Sequence, residues 1–94
     1  MPIQSFKCRD TEKVFNNLAV PRFVQFRSAL ERKLRQLNIA NDLDDLRVPT
    51  GNRLEALAGT RQGQHSIRIN KRYRICFVWT AAGPSEVEVV DYHS

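Results

Sequence analysis

Gln64-His65-Ser66-Ile67-Arg68-Ile69, then Asn70-Lys71-Arg72, then Tyr73-Arg74-Ile75-Cys76-Phe77-Val78-Trp79-Thr80, is the stretch that decides the fold. Its first six residues alternate, with Ile67 and Ile69 on one side and Ser66 and Arg68 on the other. That period of two marks a half-buried strand. The last eight are rich in aromatic and β-branched side chains, which suit a central strand. The polar triplet between them is a turn.

Reading outward, Ala82-Gly83-Pro84 turns the chain into a last strand over 86–92, with Val87 and Val89 opposing Glu86, Glu88 and Val90. Upstream, Gly59-Thr60-Arg61-Gln62-Gly63 reads as a turn and 53–58 as another strand. Residues 48–52 form a loop. Before it the period changes: Phe23, Phe26, Leu30, Leu34 and Leu37 recur every three or four residues and share one helix face. Pro21 suits the first turn of that helix. Arg27, Glu31, Arg32 and Arg35 fall on its other faces, and Glu31–Arg35 has the favourable spacing of four. Asn41, Asp42, Asp44 and Asp45 cap a short third helix. A first helix over about 11–17 is capped by Asp10 and offers Val14, Phe15 and Leu18 to the core, and 3–7 alternate as a short strand. Helices first and strands afterwards predict an α+β fold: N-terminal helices packed on one face of a twisted, mainly antiparallel sheet of four to five strands. Residues 1–94 form a single domain without internal repeats.

The 94 residues are 41% hydrophobic and 27% charged, the balance of a folded domain rather than a disordered chain. No apolar run approaches the roughly 20 residues that cross a bilayer, and the opening Met-Pro-Ile-Gln-Ser-Phe-Lys lacks a signal-peptide core, so a cytoplasmic protein with no membrane partner is expected. Cys8 and Cys76 read as reduced small hydrophobes, with a disulfide between them left open. The charge is localised. Arg53, Arg61, Arg68, Lys71, Arg72 and Arg74 stand against the single acid Glu55, so the whole net charge of +5 sits between positions 53 and 74. Such a concentration suits a polyanion, or simply a solvated face.

No metal site is expected, because His65 and His93 lack the companions a zinc site needs, and no cofactor motif is present. The strand reading gathers other chemistry: Glu55, Arg61, His65, Lys71, Arg72 and Arg74, with Asp91-Tyr92-His93 at the end. RNA cleavage through its own 2′-hydroxyl needs a base, an acid and cations around phosphorus, and carboxylate, imidazole and guanidinium groups supply them. Each residue also has a structural reading: Glu55–Arg74 as a cross-strand pair, Tyr92 as a core aromatic, the arginines as solubilising charge.

Gly51-Asn52-Arg53-Leu54-Glu55-Ala56-Leu57, Gly59, Gly63-Gln64-His65-Ser66-Ile67-Arg68-Ile69-Asn70, Tyr73-Arg74-Ile75-Cys76-Phe77 and Val90-Asp91-Tyr92-His93 together resemble the signature of HigB/GraT-type toxins of the RelE superfamily. The likeness runs nearly end to end and is closest to the GraT-like subgroup. It implies a RelE-like α+β fold and cleavage of messenger RNA on the ribosome, inhibiting translation and growth. It also implies a co-encoded HigA-type helix-turn-helix antitoxin, through which operator DNA is contacted. Interference with ribosome assembly is the non-catalytic alternative, and an inactive antitoxin-binding relative a further one. Carried over residue by residue, the likeness implies proton transfer by His93 with Glu55 or Asp91, and Tyr92 beside them. It implies phosphorane stabilisation by Arg74, and RNA contacts from Arg61, His65, Arg68, Lys71 and Arg72. Many HigB toxins have a histidine where this chain has Glu55, and a lysine where it has Ala58.

Overall fold

The computed structural model describes residues 1–92, so His93 lies outside the described residues. Helix α1 (Arg9–Phe15) and helix α2 (Arg27–Ile39) precede four strands: β1 (Glu55–Ala56), β2 (His65–Arg68), β3 (Tyr73–Thr80) and β4 (Gly83–Asp91). The strands pair in sequence order, each antiparallel to the next, which gives the α+β architecture the sequence predicts.

Several expected elements are shorter or differently built. Asp10 sits inside the first turn of α1 instead of capping it, and its carboxylate accepts from Arg22 Nε at 2.6 Å. That guanidinium holds the Asp10 carboxyl below the usual carboxylate range. The helix expected from Pro21 splits into a 3₁₀ segment, Pro21–Phe26, and α2, because Phe26 leaves helical geometry at φ −123° and stacks on Tyr73. Glu31 pairs backward with Arg27 at 3.0 Å, not forward with Arg35. The acidic cluster caps as expected: Asp42 and Asp45 each accept from the other's backbone N–H at the start of a 3₁₀ turn, Leu43–Arg47. The strand expected over 53–58 shrinks to Glu55–Ala56, since Arg53 adopts a left-handed conformation.

The core lies between the helices and one face of the sheet. Phe23, Leu30, Leu34 and Leu37 are buried against Ile67, Ile75, Phe77 and Val87. Residues 4–7 run beside β4: Phe6 bridges Val87 in parallel, and Gln4 and Lys7 donate to Pro84 and Val87. A shift in register opposite Cys76–Val78 marks a bulge in β4, where Glu86 takes φ 53° and donates to Ser5 Oγ. Gly83 (φ 132°) packs against the backbone of Met1 and Pro2, so a Cβ there would strike the Pro2 carbonyl.

Asn52 is a buried polar residue that ties the segment before β1 to α2 and to the Leu43–Arg47 turn. Its amide donates to Gln36 Oε1 and to the Leu46 carbonyl, both at 3.1 Å, and its Oδ1 accepts from Lys33 Nζ. Asn52→Ala leaves those buried partners unsatisfied, and is expected to cost about 1–3 kcal/mol of stability. An unchanged urea midpoint would contradict this.

Candidate RNA-binding groove

Residues opposed in an antiparallel ladder point to the same face of a sheet. The pairings Glu55–Ser66, Ser66–Cys76 and Cys76–Glu88 therefore form one row on the face away from the helices. The neighbouring row is Arg68, Arg74 and Val90, and Tyr92 follows two residues beyond Val90. Alternation in the strands thus brings Glu55, Arg68, Arg74 and Tyr92 to one surface, where Arg53, Asn70 and Lys71 join them around a groove of about 530 Å³.

Arg74 is held from behind. Its Nε donates to Ser66 Oγ at 2.8 Å, and its Nη2 to the carbonyls of Arg53 at 2.7 Å and Ser66 at 3.4 Å. The guanidinium lies 5.9 Å from the centre of the Tyr92 ring. Among the described residues its Nη1 group makes no hydrogen bond, so its two N–H directions are left for an anion. The backbone of Arg53, at φ 47° and ψ 54°, turns that carbonyl toward Arg74. Arg68 Nε donates to the Asn70 carbonyl at 2.9 Å, while Asn70 Oδ1 accepts from the backbone of Arg72 and Tyr73 and closes the turn.

Electrostatically the groove is unbalanced. Four cations line it against one carboxylate. No described ion pair involves Arg53, Glu55, Arg68, Lys71 or Arg74. Burial pushes the Cys76 thiol above its ordinary range, so it stays protonated at neutral pH and donates to Tyr92 Oη at 3.9 Å. Burial, reinforced by Cys76, likewise raises the Tyr92 phenol against the opposing charges of Arg61 and Arg74.

The other expected residues are placed elsewhere. Arg61 reaches over the same face but is committed to Glu88 at 3.1 Å and to Gln64, with Lys7 3.7 Å from the same carboxylate. Burial is the largest single influence and works against its charge, but the Glu88 hydrogen bond together with the charge interactions of Cys76, Glu88 and Tyr92 outweighs it and raises its pKa. His65 pairs with Phe77, in the row that faces the helices. Its ring stacks on Phe77 at 6.4 Å, and its Nδ1 is buried without a partner among the described residues. Asp91 pairs with Tyr73, again on the helix side, and accepts from Arg72 Nε and Nη2 at 2.9 and 2.7 Å. The sequence reading has Arg53 only as part of the basic cluster and Asn70 only as part of the polar turn, and it gives Ser66 no role at the site, although counting alternation back from Arg74 and Arg68 reaches that position. Among the described residues no group of three or more His, Cys, Asp or Glu side chains could hold a metal. Both cysteines are free thiols. No described helix is long and apolar enough to cross a membrane.

In chemical terms the groove can hold a phosphodiester against Arg74, with a carboxylate and a phenol on hand for proton transfer. The family model described as "RelE-like toxin of type II toxin-antitoxin system HigB" matches residues 5–93. The chain is 52% identical over 52 residues to "Toxin HigB-1" of Vibrio cholerae, an alignment covering 55% of each chain. It is 40% identical over 48 residues to an uncharacterized protein of Haemophilus influenzae, covering 51% of this chain and 48% of the other. The aligned part thus spans about half the length of these curated relatives.

Proposed function

We propose a function that proceeds from one premise: the chain belongs to the HigB-like family of RelE-like toxins of type II toxin–antitoxin systems. It is an endoribonuclease that cuts messenger RNA on the ribosome and so stops translation and growth, and a HigA-type helix-turn-helix antitoxin holds it in check and links it to operator DNA. The observation that carries this reading is the groove in which Arg74, fixed from behind and free in front, shares a cationic surface with Glu55 and Tyr92.

In this mechanism the scissile phosphate lies on the open edge of Arg74, with Arg53, Arg68 and Lys71 on its neighbours. The Glu55 carboxylate takes the proton of the 2′-hydroxyl. The 2′-oxygen then bonds to phosphorus, and Arg74 stabilises the added negative charge. The bond from phosphorus to the 5′-oxygen breaks, and that oxygen takes a proton from Tyr92 or from His93, the residue that follows it. The products are a 2′,3′-cyclic phosphate and a 5′-hydroxyl.

Induction of the toxin without its antitoxin, followed by primer extension on cellular transcripts, tests this. New 5′-hydroxyl ends inside messages are the expected result. Growth arrest with no new ends would overturn cleavage in favour of a toxin that binds and blocks ribosomal RNA. No arrest at all would leave a relative that only docks its antitoxin.

A further inference from the structure

A second groove, of about 450 Å³, adjoins the first and shares Asn70 and Lys71 with it. Its remaining lining is Arg22, Gln25, Phe26, Arg72 and Tyr73. Phe26 and Tyr73 stack on each other at 4.3 Å with 22° between their planes, both are only partly buried, and the Arg72 guanidinium lies 5.3 Å from the centre of the Tyr73 ring. Arg22 and Arg72 stand at the rim. Each is steered by one carboxylate: Asp10 takes Arg22 Nε, and Asp91 takes Arg72 Nε and Nη2. The Nη1 group of each makes no hydrogen bond among the described residues.

Aromatic surface framed by oriented cations is the arrangement that binds single-stranded nucleic acid: a base stacks on a ring while its phosphates meet the cations. The shared Lys71 turn makes the two surfaces continuous. We propose that the second groove holds an unpaired nucleotide flanking the scissile phosphate, its base against the exposed edge of the Phe26–Tyr73 pair and the Arg72 guanidinium plane beside it, and its phosphate on Lys71 and Arg22. The proposal rests on the reading of the first groove as the cleavage site. It adds that RNA leaves that site across the Asn70–Arg72 turn toward the start of the helical layer. A paired base presents no free face to such a platform, so the substrate is unpaired here.

The test uses the full chain and single-stranded oligoribonucleotides blocked by 2′-O-methyl groups, of about three and about nine nucleotides. Fluorescence anisotropy should show the longer probe binding about tenfold tighter. Arg22→Glu, outside the first groove, should abolish that advantage and leave the short probe's affinity unchanged, while Arg22→Lys should keep most of it. An advantage that survives Arg22→Glu overturns the proposal, as does an equal loss for both probes, or equal binding of a blunt RNA duplex. Arg74→Ala reports on the first groove separately, through cleavage of an unblocked RNA: cutting at the parent rate would overturn the cleavage reading, whereas a length advantage that survives Arg22→Glu beside an Arg74→Ala chain that no longer cuts would overturn this proposal alone.

Discussion

An Arg74→Ala chain is expected to cleave RNA about 10²–10³-fold more slowly than the parent, the usual cost of deleting one preorganised donor from a site where negative charge develops. The magnitude follows from how the side chain is held. Ser66 Oγ and two backbone carbonyls fix three of its N–H directions before substrate arrives, so little reorganisation remains for the transition state. Arg74→Lys keeps the charge but loses the planar fork, and should fall between the two. Single-turnover cleavage with unchanged RNA affinity would locate the loss in the chemical step. An Arg74→Ala protein that cuts at the parent rate would remove the phosphate from this groove altogether.

The second large effect concerns the fold. Phe77 is fully buried on β3, between the helical layer and the sheet, and Phe77→Ala empties the middle of a thin core. The expected loss is about 3–5 kcal/mol. A domain of this size has roughly 5–15 kcal/mol in all, so the variant should be partly unfolded at growth temperature. Urea denaturation followed by far-UV circular dichroism measures it. A midpoint equal to that of the parent would mean that the core relaxes into the vacated volume.

Strand β3 was legible to the residue, because six of its eight side chains are aromatic or β-branched, which leaves no competing reading. So was the apolar face of α2, through Leu30, Leu34 and Leu37. What the sequence concealed was set by partners far along the chain. The strand over 53–58 fails because Arg53 gives its carbonyl to Arg74, 21 positions away, and no local pattern announces a left-handed arginine. Phe26 breaks a helix to reach Tyr73. In the groove, period-two counting places Glu55, Arg68, Arg74 and Tyr92 together. The same counting sends His65 and Asp91 to the opposite face, a consequence of register that residue identity does not carry. Arg61 has the right charge and the right face, but Glu88, 27 positions on, has claimed it.

The lane of residues 4–7 along β4 has a bearing on how the protein is made. Ser5 meets Glu86 across a separation of 81 positions, and Thr11 of α1 accepts from Val89 across 78. A nascent chain halted before β4 emerges therefore lacks the strand beside which residues 4–7 run, although its opening segment keeps the contacts of Met1 with Ala40 and of Ile3 with Asn38. It also lacks Tyr92, and the inner face of β3 lacks Val87. Contacts this distant in sequence close late and slowly. The groove is therefore completed only when the last strand has paired with β3 and brought Tyr92 beside Arg74.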